Sequence, residues 1–315
     1  MSVLEVSNLT KIYQSGIWPF QTPQIYTAVN SISFHISKGE ILGFLGTNGA
    51  GKTTTIQMLL GTLTPSSGSI TYFGTDFAGN RIPLLKKIGY ASGYDRLPAR
   101  LTIYENLDVF GRVYGIQQPQ RDHQIEKLLK FFGMWQIRYK IMGGLSAGQV
   151  TRVMLAKAFI ADPQIVLLDE PTASLDPDVA HEVRQFILTQ RKERNISFLI
   201  TSHNMEEVTE LCDRVLVLKN GTIIADNTPE QLARLTSKAR IHLTFDEQHR
   251  ERVCFFLSSN GVSYTMLGIQ VMIELDEHLI AQFLADLGKN HLMYTHITID
   301  KPSLKDYFLS IARSR

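Results

Sequence analysis

Gly46-Thr47-Asn48-Gly49-Ala50-Gly51-Lys52-Thr53-Thr54 fits G-x-x-x-x-G-K-[ST], the pattern of a loop that cradles phosphates. The apolar run Ile41-Leu42-Gly43-Phe44-Leu45 before it is short enough to be a buried strand. After it, Ile56, Leu59, Leu60 and Leu63 share one face of a helical pattern. Glycines let backbone N–H groups turn inward around a polyphosphate, and the helix start adds unpaired N–H groups and a positive dipole end. Lys52 is placed to reach the terminal phosphates, and the Thr53 hydroxyl to ligate Mg²⁺. The competing explanation, a glycine-rich turn that merely ends a strand, does not account for the full spacing with both flanks in place.

Working outward, the chain has 315 residues, enough for two domains or one large and one small. It is 44% hydrophobic and 20% charged, an ordinary globular composition, with a net charge of +2. No Lys/Arg block appears, so composition makes no case for nucleic-acid binding. Cys212 and Cys254 lack metal spacing and are expected to be small buried hydrophobes in a reducing compartment. The first residues lack the basic and apolar regions of a signal peptide. No apolar run approaches the roughly 18–20 residues of a membrane span. Any action at a membrane is therefore expected to need another chain.

Residues 2–36 are predicted to form short β segments, with an exposed insertion from Ser15 to Gln24. From about Arg81 to Ala161 the pattern is largely helical. Ile165 to Leu168 and Ser197 to Ile200 are apolar strands that follow helical stretches, as parallel βαβ units do. Asn220-Gly221 between two alternating runs signals a hairpin. Thr228-Pro229-Glu230-Gln231 is a helix start. Beyond Ser237 the order is β–α–β–β–α–β–α, that of a small ferredoxin-like domain. Its scattered His242, His249, His278, His291 and His296 show no recurring ligand spacing.

A phosphate loop alone names no reaction; four further stretches narrow it. Asp169, at the end of the strand from Ile165, suits a carboxylate on Mg²⁺, and Glu170 suits polarisation of a water attacking the γ-phosphate. Alternatively, both acids merely end a strand before Pro171. Leu145-Ser146-Ala147-Gly148-Gln149 precedes a helical stretch, where Ser146 and the Gly148 backbone can hold an anion or simply form a cap. Ser174-Leu175-Asp176 is a tight polar loop, or a turn with Asp176 capping the next helix. His203, ending the second strand in Thr201-Ser202-His203, can bond the γ-phosphate or the water, or serve structure only.

In this order the motifs resemble the ATP-binding subunit of ABC transporters over roughly residues 2–235. The resemblance implies an α/β fold of the ABC-ATPase type: a mixed-sheet core with a helical subdomain at about 86–160, followed by an α+β accessory domain at 236–315. It implies ATP and Mg²⁺ as cofactors. Two such subunits pair head to tail, so that one partner's phosphate loop faces the other's signature, here Leu145–Gln149. Glu170 becomes the catalytic carboxylate, with Lys52 at the phosphates, His203 the switch histidine, and Ser174–Asp176 the loop crossing the dimer. Tyr13 matches the aromatic that stacks on adenine, with Tyr26 a competitor. The tail, Asn227-Thr228-Pro229-Glu230-Gln231-Leu232, the small domain and then Pro302-Ser303-Leu304-Lys305-Asp306-Tyr307-Phe308, resembles the ABC-2 exporter group. That implies an ATPase peripheral on the cytoplasmic face of a bacterial membrane, with a permease on a separate chain.

Two positions depart from the family pattern. Ala147 stands where the signature usually has glycine, tolerable if its φ is negative. Gly93 stands where a glutamine usually binds Mg²⁺; Asp95 or a water is the candidate replacement, unless Asp95 only caps the turn before Leu97-Pro98. A soluble ABC-type ATPase acting on ribosomes or DNA, and a nucleotide sensor without turnover, are the alternative functions.

Overall fold

The computed structural model describes residues 2–15, 24–93, 96–173, 175–235, 238–301 and 303–313. It divides into two units, Met1–Thr228 and Pro229–Arg315.

In the first unit, β1 (Ser2–Ser15), β2 (Gln24–Ser37), β3 (Ile41–Gly46), β4 (Ser67–Tyr72), β5 (Thr75–Asp76) and β6 (Ile88–Ser92) precede β7 (Ile165–Asp169), β8 (Ser197–Thr201), β9 (Arg214–Lys219) and β10 (Thr222–Asn227). One sheet runs β10-β9-β3-β8-β7-β6, parallel except for β10. A second, antiparallel sheet runs β2-β1-β4-β5. Helix α1 (Lys52–Leu59) contributes Ile56, Met58 and Leu59 to a core shared by Leu4 and Val6 of one sheet and Leu42 and Phe44 of the other. Phe34 meets Phe44 edge-on, ring centroids 5.0 Å apart, tying the sheets together.

Several expectations change. Residues 2–36 form two strands of 14 residues each rather than short segments. Their register shifts between Val6 and Leu9 and around Lys11, and those irregularities break the period-two pattern. Residues 88–92, expected within the helical subdomain, are strand β6 pairing in parallel with β7. The helices of that stretch are α3 (Ile103–Val113), α4 (Gln118–Phe131) and α5 (Ala147–Phe159), after a short α2 (Arg81–Leu85) beside the sheet. Helix α1 stops at Leu59 because Gly61 takes φ +70° and closes its end, which leaves Leu60 and Leu63 packed on the core from the loop. Of the Ser15–Gln24 insertion, residues 16–23 lie outside the described residues.

Helices α6 (Pro177–Arg194) and α7 (Met205–Leu211) complete the unit. Asn220 and Gly221 both have positive φ, +50° and +77°, the two-residue hairpin expected from Asn-Gly.

The second unit begins with α8 (Pro229–Arg234), which packs with α11 (Leu304–Arg313). Residues 229–235 thus fall in the second unit rather than the first. Between them lie β11 (Lys238–Phe245), α9 (Arg250–Ser259), β12 (Tyr264–Leu267), β13 (Gln270–Asp276), α10 (Ile280–Lys289) and β14 (Tyr294–Asp300). The antiparallel sheet runs β12-β13-β11-β14, the ferredoxin-like order. Along β11, Ala239, Ile241, Leu243 and Phe245 are buried, while Arg240, His242 and Thr244 face the other way. Cys212 is buried as expected, but Cys254 is only partly so. Among the described residues no helix is long and apolar enough to cross a membrane.

Candidate active site

The phosphate loop joins β3 to α1 through residues with little room for substitution. Gly51, the N-cap of α1, has φ +104°, and a Cβ there would lie 2.6 Å from the Ala28 carbonyl oxygen. A Cβ at Gly46 would meet the Leu218 carbonyl oxygen at 2.6 Å. Glycine is required at both for backbone approach, and at Gly51 for its left-handed φ as well. The loop bounds a cavity of about 340 Å³ lined by Asn48 to Thr54, Tyr13, Tyr26, Ala28, Asp169 and Glu170. Residues of the loop and the two acids, far apart in sequence, thus share one concavity.

Parallel pairing explains the convergence. Strands β3, β7 and β8 run together, so Gly46, Asp169 and Thr201 all end at the same edge of the sheet, where α/β ligand sites form. Lys52 Nζ folds back onto the loop, donating to the carbonyls of Gly46 (2.6 Å) and Thr47 (3.2 Å). Burial lowers its pKa from the ordinary lysine value, opposed by the charges of Glu170 and Asp169. Thr53 Oγ1 lies 3.5 Å from Asp169 Oδ2. A hydroxyl and a carboxylate are the hard oxygen donors that Mg²⁺ takes, so this pair fits the cation.

The Thr201 hydroxyl donates to Asp169 Oδ1 and accepts from the Glu170 backbone N–H at 3.1 Å. Glu170 has φ +54°, a left-handed conformation that costs a non-glycine residue about 1–2 kcal/mol. That backbone turn separates it from the strand direction of Asp169. His203 Nδ1 donates to Glu170 Oε2 at 2.6 Å. The histidine side chain is 67% exposed and the glutamate 11%, so the pair stands at the mouth of the site. Gly93 lies against the same turn: its N–H donates to the Asp169 carbonyl at 3.0 Å.

Other expected residues fall elsewhere. Ser146 caps α5, accepting from Gln149 N–H at 3.3 Å, while Gln149 Oε1 accepts from Ser146 N–H at 3.1 Å. Leu145 to Gln149 do not line the cavity. Ala147 opens α5 without positive φ, so its methyl group fits. Gly148 faces Val179 and Leu175, which joins the signature to the Leu175–Asp176 turn. Asp176 occupies the N-cap position of α6 but makes no capping bond. Ser174 and Asp95 lie outside the described residues. Tyr13 and Tyr26 are cross-strand neighbours, and both line the cavity. Sequence reasoning missed the joint role of the Thr201 hydroxyl, and it missed Thr172 and Glu207. A buried acid in the first turn of α7 looks in sequence like an ordinary partner for the helix dipole.

A strand–loop–helix phosphate cradle, a carboxylate beside its threonine and a second carboxylate gripped by a histidine define a nucleotide-hydrolysing cassette. A family model described as ABC transporter matches residues 29–173. The chain is 31% identical to the bacitracin transport ATP-binding protein BcrA of Bacillus licheniformis, over 98% of this chain and 97% of that one. It is 40% identical to the ABC transporter ATP-binding protein NatA of Bacillus subtilis, over 66% of this chain and 85% of the relative. A solved ATP-binding subunit of an ABC transporter superposes with TM-score 0.64 at 26% identity, covering 74% of this chain and 92% of that one. A dimeric cassette bound to ADP and Pi also shares the fold, with TM-score 0.64 at 22% identity, covering 71% of this chain and 98% of that one. The chain belongs to the ABC transporter family of ATP-binding subunits, and it is an ATPase.

Proposed function

We propose that two copies of this chain close around two ATP molecules with Mg²⁺ and drive a permease carried on a separate chain, an exporter of the ABC-2 group. The observation that supports this best is the division of the motifs: the cavity takes in the phosphate loop, Asp169 and Glu170 but not Leu145–Gln149. A site whose signature lies outside its own cavity calls for the signature of a second copy. Export is supported by the relatives, one named for bacitracin transport and another for Nod factor export in Rhizobium sp. (strain N33). Such a partner would hold the ATPase at the inner face of the membrane.

In this reading the loop N–H groups and Lys52 hold the β- and γ-phosphates. Thr53 and Asp169 would hold Mg²⁺, which would supply positive charge beside the phosphate oxygens. Glu170 orients the attacking water and draws on its proton, while His203 fixes the carboxylate and faces the γ-phosphate. Positioning and electrostatics, rather than covalent chemistry, carry the rate.

Glu170→Gln tests the assignment. The amide keeps the shape but is a far weaker base, so phosphate release should fall by at least about 100-fold, the scale of general-base catalysis. ATP should then trap a dimer visible by size exclusion. A variant that stays monomeric with ATP, or still turns over, contradicts the proposal.

A further inference from the structure

A buried carboxylate outside the phosphate site binds the two segments that carry its catalytic pair. Glu207, on α7, is 1% exposed. Its Oε1 accepts from Thr172 Oγ1 at 2.8 Å and its Oε2 from Ser202 Oγ at 2.5 Å. Thr172 lies just beyond Glu170 in the chain, and Ser202 immediately precedes His203. The two hydroxyls are buried as well, at 8% and 1% exposure by residue. Ser202 Oγ also accepts from the Asn204 backbone N–H at 3.0 Å, which directs its own proton to the carboxylate.

Glu207 does not cap its helix. The Asn204 side chain does that, accepting from the N–H groups of Glu206 and Glu207 at 3.0 and 3.4 Å. The Arg184 charge favours the Glu207 carboxylate from nearby, but its ion pair is with Glu210, at 2.6 Å. Both carboxylate oxygens are spent on the two hydroxyls. Burying a carboxylate is costly, and an apolar side chain would fill the space without that cost. What an apolar residue cannot do is accept from both hydroxyls at once.

We infer that Glu207 is a positioning residue for hydrolysis, clamping residue 172 to residue 202 so that Glu170 and His203 stay in contact. The turn at Glu170 is strained, with φ +54°, and strained backbone persists only where its surroundings over-determine it. Thr201 fixes that turn from the strand side, its carbonyl and its hydroxyl both accepting from the Glu170 N–H. Glu207 fixes it from the far side through Thr172. Nucleotide binding has other anchors: the Lys52 side chain bonds the carbonyls of Gly46 and Thr47, and the Thr53 hydroxyl bonds Asp169. The inference rests on Glu170 as the group that acts on the water.

The test uses the full chain, with phosphate release measured over a range of ATP concentrations and well below every variant's melting midpoint. Glu207→Ala should lower kcat by about 10- to 100-fold, the scale of a small misplacement of catalytic groups, with KM for ATP within about twofold. Glu207→Gln keeps one acceptor and offers a donor to the second hydroxyl, so it should recover most of the lost rate. If Glu207→Ala does not fold, Thr172→Val and Ser202→Ala each remove one arm of the clamp and should each lower kcat with KM unchanged. Wild-type kcat in Glu207→Ala, loss of ATP affinity in step with kcat, or Gln no better than Ala overturns the inference. Glu170→Gln run alongside separates the two readings. Were that variant fully active, the role of Glu170 itself would fall; were it inactive while Glu207→Ala stayed normal, only the clamp would.

Discussion

Placing a glutamine at Gly93, the residue that the resemblance led us to expect there, should slow this enzyme rather than improve it. A Cβ at position 93 would lie 2.8 Å from the Glu170 carbonyl oxygen, well inside ordinary van der Waals contact. The obstructing atom is main chain and cannot rotate away. The same carbonyl accepts from Ala173 N–H at 3.4 Å, and Gly93 N–H is tied to the Asp169 carbonyl at 3.0 Å. Relief must therefore come from moving the turn that aims Glu170. Overpacking of this kind costs about 1–3 kcal/mol. If about 1.4 kcal/mol of that reaches the transition state, kcat falls about tenfold. The melting midpoint should fall by roughly 2–4 °C for each kcal/mol lost in a unit of this size. Gly93→Ala isolates the Cβ from the amide and should show a similar loss. Phosphate release and a thermal melt on wild type, Gly93→Ala and Gly93→Gln make the comparison. A glutamine variant that hydrolyses ATP as fast as wild type with an unchanged midpoint would refute the reasoning.

Lys52→Ala should weaken ATP binding by roughly 30- to 150-fold, the equivalent of about 2–3 kcal/mol for charged hydrogen bonds to phosphate. Calorimetric titration reads it, and an unchanged Kd contradicts the cradle. In the helical subdomain, the Asp108 carboxylate accepts from Arg112 and from the buried Arg121. Burial works against its charge, but the two guanidinium groups outweigh it and hold the pKa below the usual 3.8. A depressed folded pKa gives stability that is present above the unfolded value and lost as pH falls through the folded one. Asp108→Asn should therefore cost about 2–3 kcal/mol at pH 7, somewhat less than breaking a fully buried pair. The difference from wild type should shrink below about pH 4 in urea unfolding. A gap that is the same at pH 7 and pH 3 rules out the ionic origin.

Local chemistry made part of this molecule legible from its residues. The phosphate loop is contiguous, so its glycines, Lys52 and Thr53 announce it without knowledge of the rest. The Asn220-Gly221 hairpin and the strand order of the small unit follow from turn signals and clear alternation. Strand β6 was hidden because it is five residues long and finds its partner, β7, only after the whole helical stretch. Nothing local distinguishes Ile88–Ser92 from an apolar turn of helix. The long β1–β2 hairpin was hidden by its own register shifts. In the site, Asp169, Glu170 and His203 were visible as strand-end residues. The network around them was not, because Thr172, Thr201 and Glu207 gain their roles only from contacts across distant segments.

The shared hydroxyl of Thr201 has a consequence for how such a site can vary. One oxygen atom gives its proton to the Asp169 carboxylate and takes the Glu170 backbone N–H on a lone pair. Under the proposed roles, the cation's carboxylate and the backbone that carries the water's carboxylate therefore share one side chain as a partner. Serine at this position would preserve the linkage. Valine, of almost the same shape, would take this partner from Asp169, while the Glu170 N–H would keep the main-chain carbonyl of residue 201.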